Sequence, residues 1–300
     1  MMYRYDLGND IFTTRLTYLE PLEDNLHRCE LKVWEPPKDE GRYVIGADPA
    51  YGRNEHKDRH AANVYRCFAD RVVQVAEYAT ADVEAKHFAW VIAHLAGAYR
   101  DCIVNVEIDG PGRMIMLEWD HLRALMQSDL YKDQVQSRDW ENFLGQARWY
   151  LYNRPDSMGR GYAANFQTTG RTKSEIMHQM RGAYVTKELD VRSLRLLEEM
   201  ANIVQNGDEI GAPESSSENA TDDRVFSTAL AIRAWINWRR PELLAQGVTY
   251  EKVMQEELGQ VTPLTRNMNR MVERFFLTIE ERAKQDEMSP PQTWREARGL

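Results

Sequence analysis

Two short apolar runs that each end on an acid constrain this chain more than any other feature. Tyr43-Val44-Ile45-Gly46-Ala47-Asp48 stops at Asp48 before Pro49, and Cys102-Ile103-Val104-Asn105-Val106-Glu107 stops at Glu107 shortly before Gly110-Pro111-Gly112. Runs this short and this apolar read as buried strands. A further pair of acids, Asp222-Asp223, opens a long apolar-periodic segment, where a helix is expected to begin. Bringing carboxylates together costs repulsion unless protons or cations are taken up. The economical reading is a divalent-metal site, because two hard cations held by aspartates and glutamates are a usual device for cutting phosphodiesters.

The segments around these acids suggest an order of elements. Cys29, Leu31 and Val33 alternate with polar neighbours before Pro36-Pro37 breaks the chain, which predicts a short edge strand and a turn. Tyr43 to Asp48, Ala61 to Phe68 and Val72 to Tyr78 follow with turn-rich joints and read as an antiparallel meander. From Asp82 the period becomes helical, with Phe88, Ile92, Leu95 and Tyr99 on one face, and the strand Cys102 to Glu107 comes next. A helix between two strands is a crossover, so this strand is expected to run parallel to a neighbour in the same sheet. A second helix places Ile115, Trp119, Leu122 and Met126 together. Trp149 to Tyr152 and the tip around residues 157–161 suggest a β-hairpin. Lys173 to Val185, Ser193 to Val204 and Asp222 to Trp238 read as helices, with a flexible loop expected over residues 207–220.

This order predicts an α/β fold with a ribonuclease-H-like mixed sheet and flanking helices. The first strand of such a sheet is central and the strand after the first helix lies beside it, so Asp48 and Glu107 are expected to be neighbours. The domain reading is an extension or linker over residues 1–27, the α/β domain over 28–240, and a charged, helical, partly mobile tail over 241–300.

Composition sets outer bounds. With 300 residues and 43% hydrophobic content, the chain can bury one good core and a small second module. It has no apolar run of about 18 residues and no signal-peptide pattern at its start, which predicts a cytosolic protein without membrane contact. Cys29, Cys67 and Cys102 are isolated and odd in number, and read as free core thiols. A formal net charge of −9 ordinarily argues against nucleic acid, since phosphate binding is driven by Lys and Arg. That objection weakens if several of the acids bind cations, and basic residues cluster at Arg171, Lys173, Arg181, Lys187, Arg192 and Arg195.

Five motifs in order carry a family resemblance: Gly46-Ala47-Asp48-Pro49-Ala50-Tyr51-Gly52 with Asp58 downstream; Val106-Glu107-Ile108-Asp109-Gly110-Pro111-Gly112; Thr168-Thr169-Gly170-Arg171-Thr172-Lys173-Ser174; Leu189-Asp190-Val191-Arg192-Ser193 leading to Leu197-Glu198-Glu199-Met200; and Asp222-Asp223-Arg224-Val225 before Ala229-Leu230-Ala231. Together they resemble the nuclease domain of tailed-phage large terminase subunits, over roughly residues 28–238. The resemblance implies a metal-dependent endonuclease that cuts concatemeric double-stranded DNA during packaging in the host cell cytoplasm. It also implies Mg²⁺ or Mn²⁺, two ions being expected, and as partners an ATPase motor, a small terminase subunit and a portal. The chain departs from the full-length pattern in having no Gly-x-x-x-x-Gly-Lys-Ser/Thr stretch, so the motor is expected to be absent from this chain or carried by a separate polypeptide. Most such domains have His before the acidic pair; here Thr221 stands there and is expected to cap the helix.

Asp48, Glu107, Asp222 and Asp223 are the candidate catalytic and metal-binding residues. Their bland alternatives are a turn-forming Asp-Pro for Asp48 and dipole-satisfying first-turn acids for Asp222 and Asp223. On a helical wheel Asp222 sits closer to the apolar face than Asp223. Asp58, Asp109 and Lys173 are accessory candidates, although an Asp in a Gly-Pro-Gly turn more often bonds backbone and a first-turn Lys is usually solvated. Arg171 and Lys173 are the DNA-binding candidates. No histidine has zinc-like spacing. The same fold also serves junction resolvases and transposases, and a packaging module without cleavage is the reading from a different class.

Overall fold

The computed structural model describes residues 2–3, 31–51, 59–127, 148–153, 162–206, 209–213 and 221–260. The chain divides into two compact units, Met1–Thr249 and Tyr250–Leu300. In the first, strands β1 (Met2–Tyr3), β2 (Leu31–Val33), β3 (Tyr43–Asp48), β4 (His60–Cys67) and β5 (Val72–Thr80) precede helix α1 (Ala85–Ala98). Then come β6 (Cys102–Val106), α2 (Gly112–Gln127), β7 (Arg148–Trp149), β8 (Leu151–Asn153), β9 (Tyr162–Ala164) and α3 (Gly170–Val185). The unit continues with β10 (Leu189–Asp190), α4 (Leu194–Asn202), β11 (Val204–Asn206), β12 (Glu209–Gly211), α5 (Asp223–Ala234), a π turn over Trp235–Arg239 and α6 (Arg240–Gln246). In the second unit the described element is α7 (Tyr250–Gln260).

The main sheet runs β1-β2-β5-β4-β3-β6-β7, with β10 against β5. Strands β3, β4 and β5 pair antiparallel, while β6 runs parallel to β3 and β7 parallel to β6. Counting β3 as first, the central strands lie in the order third, second, first, fourth, fifth, which defines a ribonuclease-H-like sheet. Helices cover both faces, and the two-residue period of the strands sorts their side chains between two core layers. Ile45, Ala47, Val104 and Val106 point toward Phe88, Ile92, Ile115 and Trp119 of α1 and α2. Val44 and Ile103 point the other way, toward Ile176 and Met180 of α3 and Val225, Ala229 and Leu230 of α5.

That parity decides where the acids go. Asp48 and Glu107 share the face of Val44 and Ile103, and so project on the side of α5. Ala47 lies opposite Val106 in the parallel register, and the Glu107 N–H donates to the Ala47 carbonyl at 3.1 Å, which sets the two acids next to each other. Helix α5 crosses β3 closely enough that Gly46 has no room for a side chain: a Cβ there would stand 1.8 Å from the Ser227 carbonyl oxygen. Asn63 Nδ2 donates to the Arg224 carbonyl at 3.2 Å and to Ser227 Oγ at 2.7 Å, and Asn105 Nδ2 donates to the Leu230 carbonyl at 2.9 Å. These strand side chains fix the height and register of the helix.

Several expected elements differ in extent. The hairpin expected after Trp149 is present as the antiparallel pair β8 and β9, with its tip outside the described residues. The helix expected over Ser193 to Val204 ends at Asn202, and the supposed loop contributes β12, which pairs with β11. Here tertiary packing of Ile203 and Ile210 against the core overrides a polar, Gly-containing local sequence. The helix expected to run from Asp222 to Trp238 changes to a π turn after Ala234. Pro241 has no N–H to give to the preceding turn, and its ring would crowd a regular one. Buried Arg239 reaches back from that turn to the Asp101 carbonyl. Cys67 and Cys102 are buried free thiols, and Cys29 lies outside the described residues. No helix among the described residues is long and apolar enough to cross a membrane.

Candidate functional site

Three elements deliver the four principal acids to one end of the sheet. Strand β3 ends on Asp48, β6 runs into Glu107, and α5 begins at Asp222-Asp223. The carboxyls of Asp48 and Glu107 share a hydrogen bond. Burial, then Glu107, and then Asp223 and Asp222 hold the Asp48 carboxyl well above its ordinary value. Each of these neighbours disfavours the charged Asp48 carboxylate, as burial beside other acids must.

The start of α5 is built differently from the expected Thr221 cap. Asp222 occupies the cap position but makes no side-chain cap hydrogen bond. The Thr221 hydroxyl donates to Glu199 Oε1 at 3.2 Å, and Glu199 Oε2 accepts the Arg224 N–H at 3.0 Å. An acid from α4 thus caps α5 from outside and leaves the Asp222 carboxylate free for another partner. That partner is Lys173, whose Nζ donates to Asp222 Oδ2 at 2.9 Å. Asp223 is buried while Asp222 is half-buried, the reverse of the helical-wheel expectation. The wheel assumed that both residues lie inside the helix, whereas Asp222 has left helical geometry at the cap. Asp223 Oδ2 accepts the Arg59 N–H at 3.3 Å.

Lys173 reaches the site through a stitched path. Phe166 bridges in parallel to Glu107, and the Ile108 N–H donates to the Phe166 carbonyl at 2.9 Å. Asp109 Oδ2 accepts the Thr168 N–H at 3.1 Å. The Asp109 carboxylate is thus engaged with the backbone of a different segment, while its carbonyl accepts the Gly112 N–H within its own turn at 3.2 Å. Thr169 and Thr172 then form a reciprocal capping box that sets the first turn of α3, where Lys173 lies. Burial alone would lower the Lys173 pKa, but Asp222, Asp48 and Glu107 outweigh it and hold the ammonium above its ordinary value.

Arg171 is exposed on the same first turn. Three residues of the basic cluster seen in the sequence lie beside acids: Lys173 is engaged with Asp222, Arg192 lies 3.7 Å from Glu35, and Arg195 pairs with Glu198. Asp58 lies outside the described residues. His60, expected in the same loop, instead opens β4 and is fully buried. Its Nδ1 accepts the Ala50 N–H at 3.0 Å and its Nε2 bonds the Val83 carbonyl at 3.0 Å. Those bonds require the neutral Nε2–H tautomer and pin the turn that follows Asp48. Burial lowers the His60 pKa to about 4.

Sequence reasoning also missed the support beneath α5. Arg224 is buried between Glu77 at 3.2 Å and Glu199 at 2.5 Å. Burial would raise Glu77, but Arg224 and Lys32 together hold it below its ordinary value. The available signal was Leu196 and Glu199, an apolar residue and an acid three apart on the inward face of α4.

Among the described residues, no three His, Cys, Asp or Glu side chains form a ready cage for a metal ion. Asp48 is bonded to Glu107, Asp222 is turned to Lys173, and Asp223 takes a backbone N–H. The donor set nonetheless fits a hard divalent cation: every candidate ligand is a carboxylate, and four acids face one ammonium.

No family model matches the chain, and no curated protein matches it. Solved structures similar to it include terminase nuclease domains. The large terminase nuclease from thermophilic phage G20c with bound cobalt has a TM-score of 0.47 and 14% identity, covering 69% of this chain and 88% of that one. The human cytomegalovirus terminase nuclease domain has a TM-score of 0.42 and 11% identity, covering 67% and 88%. The large terminase nuclease domain of bacteriophage SPP1 with bound Mn has a TM-score of 0.33 and 14% identity, covering 64% and 85%. The fold assignment itself rests on the strand order and on the packing of α5 across β3.

Proposed function

We propose that this chain is a metal-dependent DNA endonuclease of the large terminase kind, cutting concatemeric double-stranded viral DNA in the host cell during genome packaging. The observation that carries the reading is the meeting of Asp48, Glu107 and the Asp222-Asp223 pair at one end of a ribonuclease-H-like sheet. Four acids gathered at one end of a sheet repel one another and have no structural task there, and the motif order supports the substrate class.

In this reading Asp48, Glu107, Asp223 and Asp222 hold Mg²⁺ or Mn²⁺, two ions being the expectation. Bound there, divalent cations lower the pKa of water and offset charge developing on a phosphodiester. The residues do the positioning: β3 and β6 set Asp48 and Glu107 side by side, α5 brings the third acid against them, and His60 keeps the turn after Asp48 in place. Arg171 and Lys173 meet backbone phosphate, which carries no sequence information. Residues 28–240 carry the activity. An ATPase motor, a small subunit and a portal are the proposed partners.

Cleavage of plasmid DNA with Mg²⁺ or Mn²⁺ tests the proposal. Asp48→Asn and Glu107→Gln each lose cleavage while remaining folded, and millimolar Mn²⁺ raises the melting temperature of the wild type but not of Asp48→Asn. Wild-type cutting by either variant removes the site assignment. A strong preference for four-way junctions over linear duplex moves the substrate to that of a resolvase.

A further inference from the structure

We propose that the cleft between α3, α4 and the β11–β12 pair is a docking groove for an acidic, amphipathic helix of a partner protein. The inference is independent of the nuclease reading and uses none of the residues assigned to that site.

The cleft has a volume of about 590 Å³ and lies where the core layer beneath α3 opens to solvent. Its floor is made by the buried Met177 and Met180 together with Met200, Ile203 and Ile210, which are only partly buried against that layer. Helix α3 supplies one wall from a single stripe, since Met177, Met180, Arg181, Tyr184 and Val185 are spaced i, i+3, i+4, i+7 and i+8. Helix α4 supplies the other with Leu197, Met200 and Ala201, at i, i+3 and i+4. Two helical walls over an apolar floor are the shape into which an amphipathic helix lays its own stripe. The lip is apolar as well: Tyr184 is 43% exposed, Val185 71% and Val204 39%. Contiguous apolar surface left in water marks a contact surface, and three methionines let this one adapt to the side chains it receives.

Charge decides what flanks the partner's apolar stripe. The chain carries a formal net charge of −9, yet no Asp or Glu is among the described residues that line the cleft; its ionisable side chains there are His178, Arg181 and Tyr184, all exposed. Arg195 on α4 is paired with Glu198, whereas Arg181 makes no ion pair among the described residues. A positive charge without a counterion at the lip attracts an acidic flank and repels a basic one. Duplex DNA is the poorer fit, because its phosphates would lie against the apolar lip and meet a single arginine.

The test uses the whole chain and two fluorescein-labelled helical peptides of about five turns. Both carry the same leucine stripe, flanked in one by glutamate and in the other by lysine, and binding is read by fluorescence anisotropy. The glutamate peptide binds wild type on the order of tenfold more tightly than the lysine peptide. Arg181→Glu, at an exposed position, reverses that order. Ala201→Trp, also at an exposed position, fills the groove and removes binding of both peptides at an unchanged melting temperature. Equal binding of the two peptides to wild type, binding of neither, or the same order in Arg181→Glu overturns the inference. Peptide binding that survives in a folded Ala201→Trp places the contact elsewhere and overturns it too. Light scattering supplies a further arm: a wild type that dimerises beside an Ala201→Trp protein that stays monomeric makes the occupant a second copy of this chain and overturns the assignment to a partner protein.

Discussion

Substituting Gly46 by Ala tests the link between sheet packing and the candidate site. Gly46 lies in the middle of β3, between Asn63 and Asn105 on the neighbouring strands, directly under α5. Its added Cβ would meet the Ser227 carbonyl oxygen at 1.8 Å and the Ala231 nitrogen at 2.6 Å. Ordinary contact begins near 3.4 Å, so the helix must lift by about 1.6 Å or the strand must sink by as much. Neither side can yield by a rotamer change, because the obstacle is backbone on both sides. Overpacking a core costs about 1–3 kcal/mol, and a backbone obstacle belongs at the upper end of that range. Lifting α5 also breaks the bonds from Asn63 to Arg224 and Ser227 and from Asn105 to Leu230, each contributing about 1 kcal/mol. The restricted unfolded chain of an alanine returns about 0.4–1 kcal/mol. The net expectation is a loss of about 5 kcal/mol in urea unfolding. Because α5 starts with Asp222 and Asp223, the same displacement moves two of the four acids by more than 1 Å, and metal-dependent cleavage should fall on the order of 100-fold. A Gly46→Ala protein with the wild-type urea midpoint and wild-type cleavage would refute the claim that this strand sets the height of the helix.

Three further outcomes are expected. Arg224→Met leaves Glu77 and Glu199 buried without their shared cation, which should cost about 3–5 kcal/mol in urea unfolding; a cost under about 1 kcal/mol would show that the pair does not support α5. His60 is neutral in the fold with its pKa lowered from 6.5 to about 4; the stability present above pH 6.5 is therefore lost as pH falls toward 4, by about 3 kcal/mol in all. Urea midpoints at pH 7 and pH 5 check this, and an unchanged pH slope in His60→Gln would assign the effect to other groups. Arg171→Ala should weaken binding about equally on unrelated DNA duplexes and reduce the salt slope by roughly one unit, and weakening confined to one sequence would contradict a phosphate contact.

What the sequence determined by itself was the set of local patterns: two apolar runs each ending on an acid, a helical period between them, and a further acidic pair opening a periodic segment. These are legible because strand and helix periods are properties of neighbouring residues, and because parity sends Asp48 and Glu107 to one face once their strands are adjacent. The strand order followed from the crossover between β5 and β6. The tertiary structure alone decided which partner each acid meets. Asp222 faces Lys173 from 49 residues away, and Glu199 caps a helix 25 residues beyond it. Asp223 is the more buried of its pair because α5 begins one residue later than the pattern implied. Gly46 reads as an unremarkable strand glycine until a helix from 181 residues further along lies across it. Such contacts depend on how elements stack, and no periodicity records them, since any acid or glycine at those positions would leave the local pattern unchanged.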